Sequence, residues 1–81
     1  MLLHVSYGTK IDIRAPEDWP LSSLKAEIRV RFAIPSNHQF DVANDGNVHR
    51  HGQSESTSLS SLYIEDGNDV NVINVHDGSS Q

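Results

Sequence analysis

Two short segments of this chain carry side chains that could bind a metal ion. His49-Arg50-His51 places two imidazoles two residues apart, and residues 65–69 group three carboxylates around a glycine and an asparagine. A zinc site needs three or four convergent ligands, and an EF-hand calcium loop needs a glutamate at its twelfth position. Neither segment completes its pattern, and cysteine is absent. We therefore expect a solvated loop at 49–51, a polar turn at 65–69, and neither metal nor cofactor.

Other catalytic patterns are also missing from the sequence. No serine or threonine stands in a nucleophile motif, and the glycine signatures of phosphate loops and dinucleotide sites are absent. A chain of 81 residues forms a single small domain. A domain of that size offers no deep cleft that would exclude water from a reaction. The sequence therefore predicts a protein that is not an enzyme.

Charge is unevenly distributed along the chain. Of a net charge of −5, residues 1–40 contribute five basic and four acidic groups, and residues 41–81 contribute one basic and seven acidic groups. Nucleic-acid-binding domains cluster basic groups on one face, so we expect no nucleic-acid partner. No segment approaches the ~20 apolar residues that cross a bilayer, so we expect no membrane partner. Together with the lack of cysteine, this favours an intracellular location, cytoplasmic or nuclear.

The amino-terminal pattern predicts a hairpin followed by a helix. Residues 1–7 and 10–15 alternate apolar and polar side chains, as strands with one wet face do. Leu21, Leu24 and Ile28 follow with helical spacing and predict an α-helix over about residues 20–32. Asp18 is expected to cap its start, and Pro35 to stop it, because the residue before proline disfavours the helical region.

The carboxyl-terminal half predicts shorter elements. Residues 39–43 form a third strand with Phe40 and Val42 inward and Asp41 outward, because a slip of one residue would bury an unpaired carboxylate. The remaining elements follow in order: a turn at 44–47, a brief fourth strand at Val48, a mobile polar loop over 49–57, a helical turn at 58–62, a last strand at 69–75 and a flexible tail at 76–81.

This order of elements resembles the ubiquitin-like β-grasp fold, and individual residues match it too. Lys25-Ala26-Glu27-Ile28, followed after five residues by Ile34-Pro35, is similar to the ubiquitin helix and its exit. Residues 58–64 resemble the short helical turn near ubiquitin's carboxyl end. The resemblance covers a domain over residues 1–75 and implies an α+β fold, in which a mixed sheet of four to five strands in the order 2-1-5-3-4 clasps one helix.

The resemblance also implies a function in protein binding. Conjugated members of the family end in two glycines, whereas residues 76–81 of this chain contain only Gly78. We therefore expect a non-conjugated interaction module at the amino terminus of a larger protein, with ubiquitin-receptor or proteasome-type partners in the ubiquitin pathway. Two alternatives remain: a self-associating scaffold module similar to PB1 domains, and a processed modifier. Self-association would join the basic helix residues Lys25, Arg29 and Arg31 to the acidic half of a second copy.

The first candidate binding surface lies on the sheet. Ubiquitin-like domains bind partners through an apolar patch on their third and last strands. On that alignment Asp41 or Val42, depending on register, takes the place of the patch isoleucine. Asn71 and Ile73 take the corresponding places in the last strand.

The second candidate surface lies on the helix. Val30 and Phe32 occupy helix positions that are usually charged in the family, and Arg29 and Arg31 flank them. Apolar anchors with arginine neighbours often carry binding energy, so these four residues could contact a partner. The alternative is that Phe32 folds back over the helix end, near Lys10, and packs locally.

Overall fold

The computed structural model describes residues 1–77 and shows one mixed five-stranded sheet with an α-helix packed on one face. The strand order is β2-β1-β5-β3-β4, so the α+β β-grasp prediction is confirmed. The elements, in chain order, are β1 (Leu2–Tyr7), β2 (Thr9–Arg14), α1 (Leu21–Phe32), β3 (His38–Asn44), β4 (Asn47–His49), a 3₁₀ turn (Ser60–Leu62) and β5 (Asp69–Asp77).

The central strands pair as the fold requires. β1 is antiparallel to β2 and parallel to β5, and β5 is antiparallel to β3. A two-residue turn joins β3 to β4, with Asp45 at φ 50° and Gly46 at φ 84°. An Asp-Gly pair suits this turn because both central residues need positive φ. The order places the outer sides of β5, β3 and β4 next to one another.

Apolar side chains from the helix and from one face of the sheet form a single core. Leu21, Leu24 and Ile28 on the helix are fully buried, and so are Phe40 and Val42 on β3, which confirms the predicted inward residues of both elements. The other buried apolar members are Leu3, Val5, Ile13, Ala15, Ile34, Leu59, Ile64, Val70 and Val72.

The start of the helix differs from the prediction. Pro20, not Asp18, occupies the cap position, and no side chain caps the helix. Instead, the amides of Leu21 and Ser22 donate to the carbonyls of Thr57 and Glu55, at 3.0 and 2.9 Å. The first-turn amides, which have no partner inside a helix, are thus satisfied by the loop that follows β4.

The last strand is longer than predicted. β5 continues to Asp77, where His76 and Asp77 pair with Gln39 and His38 of β3. The predicted tail therefore does not begin at residue 76, and residues 78–81, including Gly78, lie outside the described residues. Within residues 1–77, no helix has the length and apolar character needed to cross a bilayer.

Candidate protein-interaction surfaces

The sheet face that points away from α1 carries an apolar strip. Val72 of β5 is buried, so its neighbours Asn71 and Ile73 lie on the outer face. Ala43 pairs with Asn71 across the β3–β5 ladder and with Val48 across the β3–β4 ladder. We call Ala43, Val48, Asn71 and Ile73 the outer sheet surface. Val48 is 45% exposed, and Ala43 and Ile73 are half-buried.

The register of β3 decides which predicted residues can reach this surface. Val42 has no exposed surface, because it points into the core, and it is therefore not available to a partner as the sequence alignment suggested. Sequence reasoning missed Ala43 and Val48. Strand alternation places Ala43 on the same face as Asp41, and the Asp45-Gly46 turn then sets Val48 opposite Ala43, so the signal was present.

Asp41 lies on the outer side, as predicted, but it is only 7% exposed because the loop after β4 covers it. Its carboxylate accepts hydrogen bonds from the His51 amide at 2.7 Å and the Asn74 side chain at 2.9 Å, and Arg50 lies 3.8 Å away. Burial alone would raise the pKa of Asp41. The hydrogen bonds from Asn74 and His51, with the charges of Arg50 and Lys25, outweigh burial and lower that pKa below its usual value.

The covering loop, residues 50–57, is held by polar contacts. We call it the clasp loop. Glu55 pairs with the Lys25 ammonium at 2.7 Å, and Lys25 is 3% exposed and also donates to the Phe40 carbonyl at 3.2 Å. The sequence suggested a mobile loop because the segment lacks apolar anchors. Its anchors are instead this ion pair, the Asp41 carboxylate and the two bonds to the helix start.

His49 stands where the clasp loop begins, and its side chain is half-buried. Its Nε2 atom is buried and has no hydrogen-bond partner among residues 1–77. Burial, and then the nearby Lys25 charge, lower the pKa of His49. His51 is exposed, so the two imidazoles do not form a common site. Across the described part of the chain, no three histidine, aspartate or glutamate side chains are grouped to hold a metal.

The predicted helix surface is divided among several local contacts. Phe32 packs edge-to-face against Tyr7, with ring centroids 5.6 Å apart, so it folds back onto the hairpin. Arg29 donates to the carbonyls of Pro35 and His38, and its guanidinium lies over the Phe40 ring. Val30, at 76% exposure, faces solvent.

Arg31 and Lys25 are engaged within the chain as well. Arg31 is exposed and pairs with Glu27 at 2.8 Å. Lys25 is buried against Glu55. The basic helix face that was predicted to drive self-association is therefore not presented as a unit.

A polar cleft of about 400 Å³ adjoins the outer sheet surface. The turn predicted at 65–69 forms one wall of it, and the β3–β4 turn forms the other. Asn44 donates to Asn68 at 3.2 Å, and Asn68 accepts from the Glu65 amide at 2.9 Å, so the walls are tied together. The cleft is lined by Asn44, Asp45, Gly46, Gly67, Asn68, Asp69 and Asn71. Such a lining suits hydrogen bonding to a polar side chain.

Comparison with known proteins adds no relative. No protein-family model matches this sequence, and no curated protein matches it. What points to the ubiquitin-like family is therefore the set of residues quoted above, together with the β-grasp topology.

Proposed function

We propose that this chain is a non-catalytic protein-interaction domain of the ubiquitin-like type, and that it binds its partner through the outer sheet surface. The observation that carries the proposal is the apolar strip of Ala43, Val48 and Ile73 on a sheet face that α1 does not cover. A solvent-facing side of an antiparallel sheet is ordinarily polar. An apolar strip there gains stability when a partner removes it from water.

The surroundings of the strip support a partner with an apolar centre and a polar rim. Asn71 borders both the strip and the polar cleft, so a ligand that covers Ile73 can also place a polar group in the cleft. On the other side, Asp41 and the clasp loop limit the strip. An apolar centre ringed by hydrogen-bonding groups is the usual anatomy of a protein interface.

The partner class follows from the fold. Because the chain has the β-grasp topology and ubiquitin-like residues, the proteins to test first are ubiquitin-receptor and proteasome-receptor domains. Gly8 stands in the first turn, where the family's patch has a leucine, so we expect these partners to bind weakly or to be replaced by a divergent relative.

Nuclear magnetic resonance titration tests the proposal. Isotope-labelled domain is titrated with a ubiquitin-associated domain and with a proteasomal receptor fragment, while the amide signals of Val48, Asn71 and Ile73 are followed. We expect shifts at these residues and their loss in Val48→Glu. The matched control is Ala26→Glu, which adds the same charge at an exposed helix position. Binding that is unchanged in Val48→Glu, or shifts that avoid all three residues, would overturn the proposal.

A further inference from the structure

Tyr63 follows the 3₁₀ turn, and its side chain projects from the surface. Its backbone is left-handed, at φ 61° and ψ 28°, and its amide donates to the Ser60 carbonyl at 3.1 Å. The side chain is 80% exposed. Within residues 1–77, neither its ring nor its hydroxyl has a stacking or hydrogen-bond partner. The fold therefore fixes the backbone of this residue and leaves the aromatic ring free.

The fold itself does not explain a tyrosine at this position. Glycine adopts the left-handed conformation readily, asparagine tolerates it, and a bulky side chain does so with strain. A residue kept against its backbone preference is usually compensated by packing, but the Tyr63 ring is not buried. Conflicts between local preference and the observed residue are concentrated at functional sites. The ring is thus available for a contact outside the chain.

Carboxylates surround this turn. Glu65 follows two residues later, and the Glu17 carbonyl accepts the Ser60 amide at 3.1 Å, which places Glu17 and Asp18 beside the turn. The side chains of Glu17, Asp18 and Glu65 are exposed and have no ion pair or hydrogen bond among the described residues. The neighbourhood of Tyr63 is therefore negatively charged.

The chain's own basic groups do not neutralise this charge. Arg14 is exposed on β2, and the others are engaged elsewhere: Lys10 with Asp69, Lys25 with Glu55, Arg29 with two carbonyls, Arg31 with Glu27 and Arg50 with Asp41. A partner that supplies positive charge is complementary to a surface whose acids are unpaired.

We propose that Tyr63, Glu17, Asp18 and Glu65 form a docking surface for an arginine-containing basic segment of a partner protein. A guanidinium can stack on the face of the tyrosine ring while its N–H groups donate to neighbouring carboxylates. An ammonium meets the same charges but does not stack as a plane, so arginine is favoured over lysine. This surface shares no residue with the outer sheet surface, and it stands or falls independently of it.

Peptide binding and thermal unfolding together test the proposal. The probes are a fluorescein-labelled glycine-serine peptide carrying arginines and its lysine counterpart, measured by anisotropy at low salt. We expect the arginine peptide to bind more tightly, and Tyr63→Asn to weaken it by about fivefold or more. Because asparagine tolerates the left-handed backbone, Tyr63→Asn should unfold at the same temperature as the parent or at a higher one.

Two further variants separate the ring from the charge. Glu65→Gln should weaken the arginine peptide by about twofold and reduce its salt dependence. Asp12→Asn removes the same charge from β2 and should leave binding unchanged. The proposal is overturned if Tyr63→Asn binds the arginine peptide as tightly as the parent. It is also overturned if Tyr63→Asn and Tyr63→Gly both lower the unfolding temperature, because the ring would then be part of the fold.

Discussion

Helix α1 and the clasp loop both lie against the sheet, but different forces hold them. The helix contributes Leu21, Leu24 and Ile28, all fully buried, to the apolar core. The loop contributes Glu55 to an ion pair with Lys25 and backbone groups to Asp41 and the helix start. Apolar burial needs only the right side chains at helical spacing, whereas the loop needs specific charges at specific distances. Stability of the loop should therefore depend on protonation, and that of the helix should not.

The largest predicted effect removes a helix contact. Leu24→Ala leaves a cavity in a fully buried position and should lower the free energy of unfolding by about 3 kcal/mol. Urea titration followed by circular dichroism measures this loss. Val30→Ala, at an exposed position of the same helix, should change it by less than about 0.5 kcal/mol. Equal losses in the two variants would mean that the helix is not held by its buried face.

The next effect breaks the ion pair of the clasp loop from its exposed side. Glu55→Gln leaves the buried Lys25 ammonium without a countercharge and should cost about 2 kcal/mol. Lys25→Met removes the buried charge and leaves a carboxylate that water can reach, so it should cost about half as much. Urea titration of both variants gives the order. A greater loss in Lys25→Met than in Glu55→Gln would contradict the proposed role of burial.

The same contrast explains what the sequence could predict. Leu21, Leu24 and Ile28 announce the helix by their spacing, and the inward Phe40 and Val42 announce the register of β3. The clasp loop has no such signal, because Glu55 and Lys25 are thirty residues apart and their pairing depends on the finished fold. For the same reason Asp18 was a reasonable but wrong cap: the carbonyls that replace it come from residues far along the chain.

The candidate surfaces divide along this line too. Alternation placed Asn71 and Ile73 outward in β5, and the structure agrees. The exposure of Val30 also follows from helical geometry. The contact between Phe32 and Tyr7, and the burial of Asp41 under the clasp loop, require the positions of distant segments and could not be read from local spacing.

A smaller effect concerns the contact between the clasp loop and β3. Asp41→Asn keeps an acceptor oxygen but loses the charge that Arg50 and the His51 amide face, so it should cost about 1 kcal/mol. Hydrogen exchange of the His51 amide should become faster, while amides of α1 beyond its first turn should keep their protection. Thr9→Ala, in the exposed hairpin, serves as the control. Unchanged exchange at His51 would show that Asp41 does not hold the loop.

The smallest effect is a pH dependence in two separate ranges. The pKa of His49 is lower in the folded protein than its ordinary 6.5, so the unfolded chain takes up a proton that the folded chain resists. Its contribution to stability is full above pH 6.5 and decreases as the pH falls below that value. The pKa of Asp41 is also lowered, from 3.8, so its contribution is full above pH 3.8 and is lost as the pH falls through the folded pKa. Urea titrations across pH should show both declines.

Two variants assign these declines to their residues. His49→Gln should remove the decline that begins near pH 6.5 and leave the acidic one, and Asp41→Asn should reduce only the acidic one. Leu24→Ala should lower stability by the same amount at every pH, because the helix face carries no titrating group. If Leu24→Ala changes the shape of the pH profile as much as His49→Gln does, then the helix and the clasp loop unfold as one electrostatic unit, and the distinction between them fails.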